Sequence, residues 1–367
     1  MILNGIICFG ITLVMLPLII RLSKKNNWVD KPDGRKNHIG EIPNLGGVAI
    51  LIAISLSCSN YFMHHYFFYA SILLLFLVGL IDDKLDLSAK IKFGIQFLSA
   101  TCIVYGEGLF IHPESEILLG LEIPIFILEI ASLVLMVGVI NSVNLLDGID
   151  GLVGGMLLIS FLVLTSLFIY LGQGDVAVLC ICLTFSCLAY LKYNYAPAKI
   201  FLGDNGSLVL GGILGYLILN IFSTHSSDSS VSHLIGFSIL FIPCYDMLRL
   251  FITRILQKKS PFKADTNHVH HLLLKSGFNV RKTTLILWGI HALVLLFCVV
   301  LLRIDDNKSM IYIKVPIAAI YLYEVISLRN YIKLKSEKRV AVKELKDLSN
   351  ENAHAFNQLT KKKYHEN

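Results

Sequence analysis

The residues of this chain whose types and spacing suit chemistry lie in three short segments: Asp82 and Asp83 in IDDKLD, Asn141 to Asp150 in NSVNLLDGID, and Asp204 in FLGDNGS. Adjacent acids on a helix point about 100° apart. Asp82 can therefore face a cation or substrate while Asp83 holds a neighbouring base. Asp86 follows one turn later, with Lys84, Lys90 and Lys92 close by. A plain helix cap is the alternative, weakened by the company of other acids at a membrane boundary. Asn141, Asn144, Asp147 and Asp150 recur every three residues, so a helix lines them along one drifting face. Gly148, Gly151, Gly154 and Gly155 beside them let backbone approach a ligand closely. Asp204 stands between Gly203 and Asn205, just ahead of an apolar run. Backbone N–H groups at a helix start attract phosphate, and an aspartate there can hold the accompanying divalent cation. Carboxylates and amides without thiols suit a hard cation, Mg²⁺ or Mn²⁺.

Two basic segments complete the set. DKPDGRKNHIGEIPNLGG carries Arg35, Lys36 and His38, and RILQKKSPFKADTNHVHHLLL carries Arg254, Lys258, Lys259 and Lys263 ahead of His268, His270 and His271. His-x-His-His invites a zinc reading, but the surroundings lack cysteine, and histidines in a basic loop also bind phosphate oxygens. The lysines double as topological anchors. Asp246 and Arg249, at i and i+3, are expected to pair with each other. Glu129 falls deep in an apolar run without an evident partner, and His112, His225 and His233 fall on the opposite side from the acids.

These groups need a scaffold, and composition names its solvent. The chain is 55% hydrophobic and 16% charged, with mean hydropathy +0.68, which belongs to a membrane protein. Apolar runs near the length that crosses about 30 Å of hydrocarbon recur at roughly 2–21, 44–60, 64–81, 91–105, 123–141, 152–171, 176–191, 207–222, 233–251, 284–302 and 310–327. The fold expected is an all-α integral membrane protein of eleven spans over residues 1–327, followed by a polar tail, 328–367. In the first run the positive residues follow the apolar stretch, so it reads as an uncleaved span. Alternate connections gather the basic residues: 28 of the 32 Lys and Arg fall on one side, which the positive-inside rule makes the cytoplasm. The N-terminus is then outside, the C-terminus inside, and the acid clusters face the cytoplasm. The net charge of +6 is topology and calls for no nucleic-acid partner. Eight cysteines sit inside apolar runs without metal or disulfide spacing.

A cytoplasm-facing site of acids, backbone amides, bases and a hard cation suits a nucleotide diphosphate handled at a lipid surface. Without a Cys or Ser nucleophile motif, the chemistry expected is phosphoryl transfer by positioning and charge neutralisation. A lipid phosphate as acceptor would explain the membrane location.

In this order, VDKPDGRKNH, DDKLD, NLLDGIDG, FLGDNGS and SPFKADTNHVHHLLLKSGF resemble the polyprenyl-phosphate N-acetylhexosamine-1-phosphate transferases of glycosyltransferase family 4. The likeness is greatest to the branch acting on undecaprenyl phosphate and N-acetylglucosamine, and it fails only in the tail. It implies eleven spans in the bacterial inner membrane and transfer of a sugar 1-phosphate from a UDP-N-acetylhexosamine to undecaprenyl phosphate, releasing UMP and starting a lipid-linked surface glycan such as O-antigen. Asp204 would then hold Mg²⁺ with Asn144 as second ligand. Asp82 would be the candidate base for the lipid phosphate, supported by Asp83 through nearby lysines. Asp147 and Asp150 would line the nucleotide pocket, Arg254, His268, His270 and His271 would contact phosphate or sugar, and Lys36, His38 and Asn141 would belong to a substrate loop. Direct attack is expected over a phospho-Asp82, since a lipid phosphate is already an anion. Membrane lipids and a second copy of the chain are the remaining expected partners. The muramoyl-pentapeptide transferases share the architecture but typically carry Lys in place of Asp86 and three successive histidines. A cation-coupled transporter would place its acids near the midplane rather than at one end.

Overall fold

Lipid offers no partner for backbone N–H and C=O groups, so apolar spans close their hydrogen bonds internally as helices. In the computed structural model, which describes residues 1–30, 40–111, 117–118, 121–223, 229–258, 268–304 and 320, the apolar runs fold that way. The first half carries α1 (Ile2–Lys25), α2 (Gly46–Ser57), α3 (Ser59–His64), α4 (Tyr66–Leu85), α5 (Ala89–Gly106) and α6 (Ile125–Leu146). The second half carries α7 (Leu152–Tyr170), α8 (Gly174–Asn194), α9 (Asp204–Ser223), α10 (Ser229–Leu256), α11 (Val269–Lys275) and α12 (Val280–Ile304). A two-residue antiparallel ladder, β1 (Ile117–Leu118) with β2 (Leu121–Glu122), lies between α5 and α6.

Among the described residues, eight helices are long and apolar enough to cross a membrane: α1, α4, α6, α7, α8, α9, α10 and α12. Ten of the eleven apolar runs lie on helices. The run at 44–60 is divided between the short α2 and α3, and that at 91–105 forms α5, which starts with Lys90 and Lys92. The run at 310–327 and the tail from 328 lie outside the described residues, apart from Ile320, which is helical. Several helices outlast their apolar runs. α4 continues to Leu85, α6 to Leu146 and α8 to Asn194, while α9 begins at Asp204, so the polar residues ride on rigid helix ends. Glu129 is therefore not deep in a span; it lies in the second turn of α6 and accepts from the Tyr105 hydroxyl at 3.1 Å.

α9 is the axis of the bundle, with 89% of its apolar window buried against 28% for α1. Gly211, Gly212 and Gly215 let its neighbours in: a Cβ on Gly211 would stand 2.9 Å from the Ile140 Cα of α6, and one on Gly212 would overlap Leu75 of α4. Small residues are what allow helix backbones to approach in lipid, where burial itself gives no drive.

At its N-terminal end the approach is closer still. A Cβ on Gly79 of α4 would overlap the Asn205 backbone, and one on Gly47 of α2 would overlap Gly206. Gly79→Ala should force α4 and α9 apart, an overpacking cost of about 1–3 kcal/mol. We expect a lowered melting temperature and a loss of turnover of about tenfold or more, although position 79 bears no functional group. Wild-type activity in purified Gly79→Ala protein would contradict this packing.

Candidate active site

The close approach brings the end of α4 against the start of α9. Asp83 accepts four hydrogen bonds there. Its Oδ1 takes the backbone N–H of Asp204 at 3.0 Å and Asn44 Nδ2 at 3.1 Å; its Oδ2 takes the Asn205 N–H at 3.1 Å and Asn205 Nδ2 at 2.6 Å. The first N–H groups of a helix have no partner of their own. α9 receives its cap from a different helix. Gly203, with φ at 75°, makes the turn into α9, and a side chain there would meet Asp83 Oδ2 at 2.8 Å. α2 is capped in turn by the same strand of chain: Gly46 and Gly47 donate to the carbonyls of Phe201 and Leu202 at 2.9 and 3.0 Å.

Asp82, one residue earlier, faces elsewhere. Its Oδ1 accepts the Leu87 N–H at 2.7 Å and its Oδ2 accepts Lys92 Nζ at 2.6 Å; Lys92 also reaches Asp204 Oδ2 at 3.4 Å. Asp86 in the left-handed conformation, φ 51°, ends α4 and returns the chain so that α5 presents Lys92 to both acids. Asp82 and Asp83 thus divide the labour as adjacent helical residues should, with one difference from expectation. The lysine goes to Asp82 and Asp204, while Asp83 pairs with no lysine among the described residues and serves as the cap.

Asp147 and Asp150 follow the end of α6. Asp150 Oδ2 accepts the Ala198 N–H at 2.9 Å, Asn194 Oδ1 accepts the Gly151 N–H at 2.9 Å, and Arg281 Nε donates to the Ala196 carbonyl at 2.8 Å. These bonds fasten the α8–α9 connection, which contains the cis Ala196–Pro197 peptide, into a wall. Between this wall and the Asp82–Lys92–Asp204 group lies a cavity of about 1240 Å³, lined also by Asp83, Asp147, Asp150 and His271.

Other expected site residues go elsewhere. Asn141 donates to Gln96 Oε1 at 2.7 Å and to the Val137 carbonyl, joining α5 to α6. Asn144, half-exposed near the end of α6, and Arg254, in the last turn of α10, do not line the cavity. Asp246 takes Arg249 at 3.1 Å, as the i, i+3 spacing indicates, and also His268 Nδ1 at 2.8 Å. His270 is fully buried with neither ring nitrogen bonded, and a side chain at Gly148 would meet its Nε2 at 2.5 Å. Burial, with His271 and His268 adding to it, pulls the His270 imidazole down to about 3, and the ring lies against the loop of Asp147 at Gly148. Of the three histidines His271 alone reaches the cavity. Lys36, His38, Lys259 and Lys263 lie outside the described residues; the ends of the segment holding Lys36 and His38 are joined by a bridge between Asp30 and Ile42, both at the cavity.

The sequence profile of glycosyl transferase family 4 matches residues 65–222, the stretch from the start of α4 to the end of α9. A Bacillus subtilis (strain 168) protein described as a probable undecaprenyl-phosphate N-acetylglucosaminyl 1-phosphate transferase is 32% identical over 289 residues, covering 75% of this chain and 78% of the relative. The chain belongs to glycosyl transferase family 4. An Escherichia coli (strain K12) undecaprenyl-phosphate alpha-N-acetylglucosaminyl 1-phosphate transferase is 30% identical over 287 residues, 75% of this chain and 76% of that one. The Yersinia pestis protein of the same description is 27% identical over 331 residues, covering 86% and 88%. The chain is a multi-pass membrane transferase, with the acid-bearing segments of the matched region gathered around one cavity.

The spacing assigns the nearby lysines to Asp83, whereas Lys92 binds Asp82 and Asp204. Its ten-residue distance from Asp82 carried no helical signal, because the left-handed turn at Asp86 lies between them. Electrostatics marks a second residue. Asp147 keeps partial access to the cavity, yet burial first, then the charges of Asp83 and Asp150, push its carboxyl up to about 7. A folded-state pKa raised above the unfolded 3.8 makes folding favour the protonated acid, so this residue's contribution falls as pH rises from 4 to 7 and is flat above. Asp147→Asn should match wild type in melting temperature near pH 4, exceed it increasingly as pH rises to about 7, and keep a constant lead above that. A difference independent of pH would refute the shift.

Proposed function

We propose that this enzyme transfers N-acetylglucosamine 1-phosphate from UDP-N-acetylglucosamine to undecaprenyl phosphate at the cytoplasmic face of a bacterial inner membrane, releasing UMP. The observation that carries the proposal is the Asp82–Lys92–Asp204 group beside the walled cavity, in a chain whose relatives bear that activity in their descriptions. The orientation rests on the 28 of 32 Lys and Arg assigned to one side, and with it go eleven spans and an outside N-terminus.

The residues fit Mg²⁺. Donors at the cavity are carboxylate oxygens, and a cation, the Lys92 ammonium, already bridges Asp82 and Asp204. Among the described residues no three His, Cys, Asp or Glu side chains converge on one point. Mg²⁺ ordinarily takes one or two carboxylates and completes its shell with water and substrate phosphate. Asp204 would hold it, with Asp82 the nearest further carboxylate; once bound it neutralises phosphate charge. Asn144 is placed less well than Asp82 for that task, since it does not line the cavity.

In the transfer an oxygen of the acceptor phosphate forms a bond to the sugar-bearing phosphorus of the donor. The bond from that phosphorus to the bridging oxygen breaks, and UMP leaves with the electron pair. Lys92 supplies positive charge at the reacting phosphates, and Asp82 fixes Lys92. Both Asp82 oxygens are already engaged, by Leu87 N–H and Lys92, in a residue 8% exposed. That favours alignment of an acceptor already charged over a phospho-Asp82. Asp147 and Asp150 wall the nucleotide side.

The test is purified protein with Mg²⁺, undecaprenyl phosphate and a panel of UDP-sugars including the muramoyl-pentapeptide donor. UMP release with UDP-N-acetylglucosamine ahead of the others is expected, abolished by EDTA. Preference for the pentapeptide donor, or turnover in EDTA, would overturn the corresponding part of the proposal.

A further inference from the structure

Seven aspartates line the cavity, and among the described lining residues two side chains carry fixed positive charge, Lys92 and Arg281. Lys92 is engaged by Asp82 and Asp204. Arg281 is not spent on an acid. Its one hydrogen bond runs from Nε to the Ala196 carbonyl at 2.8 Å, and it makes no ion pair among the described residues. The side chain starts in the first turn of α12 and is held against the wall that Asp150 fastens two residues away, at Ala198. A guanidinium gripped at Nε keeps both terminal amino groups, a planar fork suited to phosphate oxygens. The grip also fixes its orientation, so little side-chain freedom is left to lose on binding.

An oriented, unspent arginine beside so many acids has an electrostatic consequence. A dianionic nucleotide entering this cavity meets net repulsion except where cations stand. We propose that Arg281 is a donor-binding residue whose terminal amino groups take the phosphate on the nucleoside side of the donor, at the wall away from the Asp82–Asp204 pair. This deepens the nucleotide-donor reading above and rests on it. Lys92 serves the reacting end of the diphosphate and Arg281 the leaving end, which becomes the phosphate of UMP.

The test is calorimetric titration of the full-length purified protein, in Mg²⁺, with UMP and with uridine. Arg281→Gln keeps a donor for the Ala196 carbonyl but loses the charge; Arg281→Met loses both, and Arg281→Lys keeps the charge without the fork. Lys282→Met removes the same charge one residue away, on a side chain outside the cavity lining. Loss of one charged hydrogen-bonding fork should weaken UMP by about tenfold or more in Arg281→Gln and Arg281→Met. Uridine should stay within about twofold, Arg281→Lys should fall between, and Lys282→Met should match wild type. The donor KM of Arg281→Gln should rise with that of UMP binding while the lipid KM holds. If Arg281→Met does not fold, Arg281→Gln decides alone. Equal losses for UMP and uridine would reduce Arg281 to a prop for the wall, and unchanged UMP affinity would refute the proposal, in both cases with wild-type turnover intact. A wild type that neither binds UMP nor uses a UDP-sugar would overturn the donor reading, and this inference with it.

Discussion

Asp83→Ala should abolish turnover and also loosen the fold. The carboxylate accepts the first N–H groups of α9, the Asn205 side chain and Asn44, four bonds in all. Hydrogen bonds to a charged group contribute about 1.5–3 kcal/mol each, and orphaned buried donors cost further. Water entering the space would recover part of that, so a loss of about 3–5 kcal/mol is expected. Turnover should fall by about a thousandfold or more, because Asp204 is the first residue of the helix that loses its cap. Asp83→Asn should be intermediate: the shape stays, but one acceptor oxygen becomes an NH₂ facing other donors. Thermal unfolding in detergent and UMP release measure the two effects. Full stability in Asp83→Ala would show that the cap is dispensable.

Asp204→Asn should separate what Asp83→Ala joins. The bond between Asp204 and Asp83 uses the Asp204 backbone N–H, which the substitution leaves in place, and the side chain itself meets Lys92 at 3.4 Å and the Asp82 carboxyl. Stability should change little, by less than about 1 kcal/mol as for a partly exposed ion pair. Turnover should nevertheless fall by about a hundred- to a thousandfold, with the Mg²⁺ dependence moved to higher concentration, since a neutral amide is a poorer ligand for a hard cation. Unfolding curves and UMP release over a Mg²⁺ titration give the two numbers. Near-wild-type turnover at low Mg²⁺ would remove Asp204 from the metal.

Much of the site could be read from residue types. Asp82, Asp83, Asp147, Asp150, Asp204 and His271 all line one cavity, because acids at the ends of apolar runs must collect where a bundle's ends meet. The i, i+3 pairing of Asp246 with Arg249 was legible for the same local reason. The parts that were not legible involve contacts between distant segments. The every-third-residue row from Asn141 to Asp150 suggests one shared ligand face, yet α6 ends at Leu146: Asn141 is left on a helix joined to Gln96, while Asp147 and Asp150 fall in the following turn. The motif His268 to His271 reads as three equivalent ligands for phosphate or sugar; in the fold Asp246 takes His268, His270 is buried and His271 lines the cavity. Glu129 has no evident partner within its own apolar run because that partner, the Tyr105 hydroxyl, comes from α5.

The sequence by itself determined the solvent, the helical class, the acid-bearing segments and the family they resemble, since hydropathy, charge bias and motif order are properties of the chain read one stretch at a time. Tertiary structure alone decided the division of roles between neighbouring acids. Asp82 and Asp83 are chemically identical, and one holds a lysine while the other caps a helix because 100° of helical rotation aims them at α5 and α9. Only the packing of α4 on α9 at Gly79 and of α2 at Gly47 brings those partners within reach, and the placing of Lys92 and Arg281 on one cavity depends on chain turns that no spacing rule encodes.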